Sequence, residues 1–170
     1  ARAKYISYLL TPATVCLAVP LYEQLELLKK NKVAVVCGIL SGTLASLTGI
    51  FVLCMLFGFN HQQYVTMLPK SITTAIGIGI SEELGGIVTI TVAVIIITGI
   101  LGNVIADTVF HIFKIKNPLA KGLALGTASH AIGTARAIEM GPVEGAMSSL
   151  AVAVAGLLTV VFVSGFAQLI

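Results

Sequence analysis

The chain has 170 residues, 57% of them hydrophobic and 10% charged, with a formal net charge of +3 and a mean hydropathy of +1.04. A soluble domain carries about a quarter charged residues, so this composition excludes an ordinary water-soluble globule. A small positive balance spread over several loops also argues against nucleic acid as a partner and reads as cytoplasmic anchoring of a membrane protein.

The chain opens Ala1-Arg2-Ala3-Lys4, without a methionine and without a signal-peptide pattern. The expectation is a longer membrane protein whose front part is missing. Tyr5 to Tyr22 is a short apolar segment interrupted by Pro12 and flanked by Pro20. Val33 to Gly58, Ile87 to Ala106 and Ala146 to Ile170 then reach or nearly reach the roughly 20 apolar residues that cross a bilayer. The chain is therefore predicted to be an all-α polytopic membrane protein in which the lipid bilayer takes the place of solvent. Cys16, Cys37 and Cys54 are isolated within apolar segments and are expected to be buried free thiols. No phosphate-binding loop or zinc motif is present, and Gly77-Ile78-Gly79 lacks the third glycine and acidic residue of a dinucleotide site. Neither a cofactor nor a metal is expected.

Two polar segments interrupt the apolar chain. Laid over each other, "SITTAIGIGISEELGGI" (Ser71 to Ile87) and "TASHAIGTARAIEMGPV" (Thr127 to Val143) match Ala75, Ile76, Gly77, Glu83 and Gly85 with Ala131, Ile132, Gly133, Glu139 and Gly141. Ser71 and Thr73 meet Thr127 and Ser129, hydroxyl for hydroxyl. Each repeat unit, about residues 33–88 and 89–144 of a single transmembrane domain, reads as a long apolar helix, a linker and a polar, Gly-rich segment.

The linkers Tyr22 to Lys32 and Asp107 to Gly122 hold Lys29, Lys30, Lys32, Lys114, Lys116 and Lys121, whereas Phe59 to Lys70 holds Lys70 alone. With both basic linkers cytoplasmic, Ser71 to Gly85 must enter and leave on one side, and Gly126 to Gly141 on the other. The fold expected is an inverted repeat with two broken or re-entrant Gly-rich segments meeting near the bilayer midplane, broken at Gly77, Gly79 and Gly133.

Irregular backbone at membrane depth survives only where protein or a water-filled cavity satisfies it. Paired interrupted segments are the best sequence pointer to a transporter's binding site, and half-helix N-termini suit an anion. The substrate-binding candidates are Arg136, His130, Ser129, Thr127, Thr134, Thr73, Thr74, Ser71 and Lys70. Arg136 offers a planar fork to a carboxylate; its competing role is an ion pair with Glu139 or Glu144, or snorkelling to the surface. His130 is either a donor or proton carrier or a hydrogen-bonded structural residue. The hydroxyls either line the site or bond helix carbonyls. Lys70 either draws anions inward or sits at the interface. His130, Glu139 and Glu83 are the coupling candidates, the two acids competing with a role as hydrated interfacial groups. Asn103 and Asp107 share a helix face, with Asp107 read as surface. "GILSG" (Gly38 to Gly42), continued by Ser46, is a small-residue face for close packing within the chain or between protomers.

"LLTPATVCLAVPLYEQ", "LPKSITTAIGIGIS" and above all "KGLALGTASHAIGTARA" resemble the LrgB/CidB family of bacterial membrane proteins over essentially the whole chain. One departure stands out: the family has proline after the paired hydroxyls of the first polar segment, where this chain has Ala75. The resemblance implies a bacterial cytoplasmic-membrane protein acting with a small LrgA/CidA-like membrane partner; this chain is expected to be a homo-oligomer (dimer). It also implies one of two functions. One is carriage of small organic acids of the pyruvate, glycolate or glycerate type, as in the related domain of the plastid glycolate/glycerate translocator. The other is holin/antiholin-like control of murein hydrolase activity and autolysis without transport. An enzyme is not expected, because no nucleophile, base and acid come together.

Overall fold

The computed structural model describes Val19 and residues 22–170. Of the Tyr5 to Tyr22 segment only Val19 and Tyr22 fall within it, and Cys16 lies outside the described residues. Among these residues the regular structure is helical throughout: α1 (Leu25–Lys30), α2 (Lys32–Phe57), α3 (His61–Met67), α4 (Thr74–Glu83), α5 (Val88–Ile112), α6 (Pro118–Met140) and α7 (Pro142–Ala167).

Three of these, α2, α5 and α7, are long and apolar enough to cross a membrane, with mean hydropathies of 2.1, 2.4 and 2.4. At 1.5 Å per residue, α2 and α7 each extend roughly 39 Å. Their exposed faces carry Leu56, Val104 and Val161, side chains that belong against lipid rather than water. Gly58, at φ 66°, closes α2 in the left-handed conformation. The α5 span runs on to Ile112, so Asp107 and His111 stand on its last turns and the second basic linker shortens to Phe113–Asn117. The third span begins earlier than expected, at Pro142.

Between the spans lie two helical hairpins. The first enters beside the end of α7, where Tyr64 Oη donates to the Phe166 carbonyl at 2.9 Å. Its inbound arm is α3, capped by Asn60 in a reciprocal pair with Gln63. Helix α3 ends before Pro69, which has no N–H to continue the ladder, and the chain turns through Lys70–Thr73. The outbound arm, α4, runs antiparallel to α5: Gly77 faces the Ile95 side chain, and Ser81 Oγ lies 2.8 Å from Thr91 Oγ1. Thr91 itself donates to the Thr66 carbonyl at 2.9 Å, and the Ile87 N–H donates to Thr66 Oγ1 at 2.8 Å. Hydroxyls thus satisfy both arms where they pass.

The second hairpin is α6. His130 has non-helical angles, φ 43° and ψ −138°, and the chain reverses there. On the inbound half, Lys121 Nζ lies 5.8 Å from the Phe110 ring centre, and Ser129 lies against Gly102, so this half is antiparallel to α5. On the outbound half, Asn103 Nδ2 donates to the Ile132 carbonyl at 3.3 Å, and Arg136 meets Asp107, so this half is parallel to α5. Gly133 comes back against Ser129 Cβ and the Leu125 carbonyl, which a straight helix would hold about 12 Å away. Helix α7 then lies along both halves.

The hairpins enter from opposite ends of the bundle and turn at the same depth. On α2, Leu123 faces Gly38 and Thr127 faces Gly42, which sets His130 near the level of Ser46. Lys70 at the first turn reaches Ser46 itself. Among the described residues all the lysines except Lys70 belong to one end, where α2, α6 and α7 begin, while Glu82 and Glu83 are exposed at the other.

These contacts correct three expectations. Phe59 to Lys70 is not an external loop: it supplies the inbound arm, and Ser71 to Gly85 is mostly the outbound one. Gly77 and Gly79 do not break a helix but lie inside α4, and Gly133 lies beyond the break at His130. Gly77 and Gly133 instead permit close approach, while Gly79 faces open space. Cys54 is buried as expected but Cys37 is exposed on the outer face of α2.

Close approach generates a stability prediction. A Cβ at Gly126 would press on the Ser148 carbonyl and on Ala151 Cβ at 2.7 Å, whereas one at Gly49 meets nothing within 4 Å. Gly126→Ala should destabilise the purified protein by about 1–3 kcal/mol through overpacking, and Gly49→Ala should leave it unchanged or slightly more stable. Thermal melts in detergent compare the two.

Candidate functional site

A groove of about 700 Å³ opens between α2 and the inbound half of α6. Its walls exist because the facing residues are small: Ala34, Gly38, Gly42 and Ala45 on α2 stand opposite Ala120, Ala124 and Ala128 on α6. Asn31 and Asn117 mark the mouth at the basic end. The floor is Ser46, Lys70 and Ser71 at the turn of the first hairpin. From Asn31 to Ser46 along α2 is roughly 22 Å, so the groove reaches about half the length of the span.

The floor carries the chemistry. Lys70 Nζ donates to Ser71 Oγ at 2.8 Å and to Ser46 Oγ at 3.4 Å, and Ser46 Oγ donates to Ser71 Oγ at 3.0 Å. Among the described residues Lys70 has no carboxylate partner; the ion pairs there belong to Arg136. An ammonium at this depth with only hydroxyls for company is costly unless an anion joins it. Helix α4 adds a second positive element. Its N-terminus follows directly, Thr73 makes no side-chain cap, and first-turn N–H groups have no partner within a helix.

Of the sequence candidates, Lys70, Ser71 and Thr127 line this groove. Thr127 Oγ1 also donates to the Leu123 carbonyl at 2.8 Å. Thr73 and Thr74 stand half-buried at the start of α4. The others lie behind the groove. His130 Nε2 donates to the Ile95 carbonyl at 2.9 Å; a carbonyl only accepts, so this nitrogen carries the proton. Thr134 Oγ1 donates to the His130 carbonyl at 2.9 Å and lies 2.8 Å from Ser148 Oγ, tying the reversal to α7. Ser129 is buried against α5. Glu83 is exposed at the far end of the first hairpin.

Arg136 is elsewhere. Its guanidinium donates to Glu139 at 2.7 Å and to Asp107, at the basic end and partly exposed. The sequence placed it at a substrate carboxylate or, alternatively, in an internal pair or at the surface; the structure places it against two protein carboxylates, away from the groove. Sequence reasoning did not select Asn31, Asn117 or the polar role of Ser46. The signal available was the spacing of Gly38, Gly42 and Ser46, which was read for packing alone.

The sequence profile of the LrgB-like family matches residues 1–169. The chain is similar to the antiholin-like protein LrgB of Bacillus cereus (strain B4264), at 42% identity over 163 residues, covering 96% of this chain and 71% of that protein. It is similar to the same degree to the antiholin-like protein LrgB of Bacillus anthracis (strain A0248). No solved structure matches the chain.

Exposed ion pairs contribute little to stability because solvent and salt screen them. Arg136→Gln should therefore fold, melt close to the wild-type temperature, and leave ligand binding in the groove intact. A melt and a binding isotherm on the purified variant check both; a selective loss of anion affinity would return Arg136 to the site.

Proposed function

The chain belongs to the LrgB-like family, and we propose that it carries small carboxylates of the pyruvate, glycolate or glycerate type across the bacterial cytoplasmic membrane. The observation that supports this reading is the Lys70 ammonium, held on the groove floor by two serines with no carboxylate in reach among the described residues. A groove with an amide-lined mouth at the basic end, small-residue walls and one cation at mid-depth has the chemistry to accept a small anion. The lysines of that end favour approach of anions. The inverted repeat, with units about residues 33–88 and 89–144, makes the hairpins equivalent halves, one facing each side, so that access alternates about their turns. A small LrgA/CidA-like membrane protein and a second copy of the chain remain the expected partners. His130 is assigned to holding the second turn, and Glu83 and Glu139 to hydrated ends.

The antiholin-like character of the relatives favours a second reading, which we extend to control of murein hydrolase activity and autolysis. The two readings separate at Lys70. In proteoliposomes with and without the small partner, wild-type protein should take up labelled pyruvate or glycolate. Lys70→Gln, which removes the charge but keeps hydrogen-bonding capacity, should reduce uptake at low substrate by about a hundredfold, from loss of charge-assisted bonds of roughly 1.5–3 kcal/mol each. Wild-type liposomes that take up neither acid, together with autolysis control that survives Lys70→Gln in cells, would overturn the carrier reading in favour of the antiholin-like one.

A further inference from the structure

The hydrogen bonds on the groove floor have a direction. Ser71 Oγ accepts from Lys70 Nζ at 2.8 Å and from Ser46 Oγ at 3.0 Å. A hydroxyl has two lone pairs and one proton. Both acceptor positions of Ser71 are thus filled, and its own proton meets no acceptor among the described residues. The side chain is 6% exposed and lines the groove, so water satisfies that proton only from the groove. Lys70 likewise spends two of its three N–H donors on the serines. One N–H and one O–H, borne by adjacent residues, are left unspent at the same floor.

We infer that Ser71 is the second donor to the carried anion and that Ser46, on the neighbouring span, is the positioning residue that aims the Ser71 hydroxyl proton into the groove. The inference rests on the carrier reading and assigns residues to the recognition of its carboxylate. Two adjacent donors, one cationic and one neutral, match the two oxygens of a single carboxylate. One cation neutralises one negative charge, so the site takes monocarboxylates and rejects dicarboxylates, whose second charge finds no partner. Ser46 acts through Ser71: while Ser46 donates to Ser71 Oγ, the serine cannot turn its proton toward α2 without bringing two hydroxyl protons together. Remove the Ser46 hydroxyl and the Ser71 proton is released to other rotamers.

A merely structural Ser46, pinning the hairpin turn to α2, makes different predictions, and a double-mutant cycle distinguishes them. Labelled pyruvate uptake is measured in proteoliposomes holding wild-type, Ser46→Ala, Ser71→Ala, the double variant and Ser46→Thr, with succinate as the dicarboxylate competitor. Ser71→Ala should raise KM about tenfold or more, as expected for loss of a hydrogen bond to a charged group, at nearly unchanged maximal rate. Ser46→Ala should raise KM by a smaller factor, the double variant should be no worse than Ser71→Ala alone, and Ser46→Thr should restore wild-type KM. Succinate should compete poorly with wild-type protein. Multiplicative effects in the double variant, a fall in maximal rate at unchanged KM, failure of Ser46→Thr to rescue, or strong competition by succinate would each overturn the inference while wild-type uptake persists. Absence of wild-type uptake would overturn the carrier reading and this inference with it.

Discussion

Halfway through a hydrocarbon layer a chain can reverse only if every N–H and C=O it frees finds a partner in the protein, since lipid offers none and each orphan costs several kcal/mol. Two reversals meet that constraint here with hydroxyls, an imidazole and glycines. At the second, His130 gives Nε2–H to the Ile95 carbonyl, and Thr134 gives its hydroxyl to the His130 carbonyl. The imidazole reaches α5 only because residue 99 is glycine: a Cβ there would stand 2.7 Å from His130 Cε1. Ile95 also receives the first hairpin, its side chain filling the space over Gly77. A single residue on the central span therefore touches both hairpins, through its carbonyl on one and its side chain on the other. The position of the groove floor follows from these contacts, because they fix how deep each hairpin turns.

Helices in lipid have no aqueous hydrophobic effect to drive them together, so they associate by backbone approach and interhelical hydrogen bonds. The α6–α7 contact shows both. Gly122 lies against the Glu144 backbone and Met147, Gly126 against the Ser148 backbone and Ala151, and Gly145 against Ile138, while Thr134 and Ser148 share a hydrogen bond. The same device used incompletely makes the groove. Gly38 and Gly42 draw α2 to Leu123 and Thr127, but the alanines beside them leave a gap that no side chain among the described residues fills. A packing motif and a cavity are here the same residues seen from two faces.

Hydropathy made the three spans legible, because twenty apolar residues in a row have few other uses. The hairpins were legible only in part. Seven residues of α3, His61 to Met67, read as a loop, since His61, Gln62, Gln63 and Thr66 are polar; their polarity is absorbed in part by a capping pair and by Thr66, which serves Ile87 and Gln62. Glycine was read as a breaker because its freedom is local, whereas at Gly77 and Gly133 what decides is a neighbour distant in sequence. The positions of Arg136 and Lys70 in the bundle were illegible for a similar reason. Their cost at depth is a property of where they lie, and sequence gave no depth for either until the hairpin arms were known. Arg136 is on the same bundle, but at its hydrated end beside Asp107 and Glu139.

The single cation on the floor also shapes what the carrier reading demands energetically. An ammonium enclosed at mid-depth without a counter-ion carries a desolvation penalty on the order of several kcal/mol. A carboxylate beside it converts a buried charge into a buried hydrogen-bonded pair, whose net cost is far smaller. The occupied floor is then the form that closes over most readily, and the empty one is the form held open to water at the basic end, where Asn31 and Asn117 stand. In that reading occupancy itself biases the hairpins, because the ligand interacts differently with the open and the closed floor, and only such a difference shifts a conformational equilibrium. A dicarboxylate reverses the sign of the problem by leaving one uncompensated negative charge among alanines and glycines. On the carrier reading, selectivity and gating both derive from one arrangement, a lysine set between two serines and, among the described residues, without a carboxylate partner.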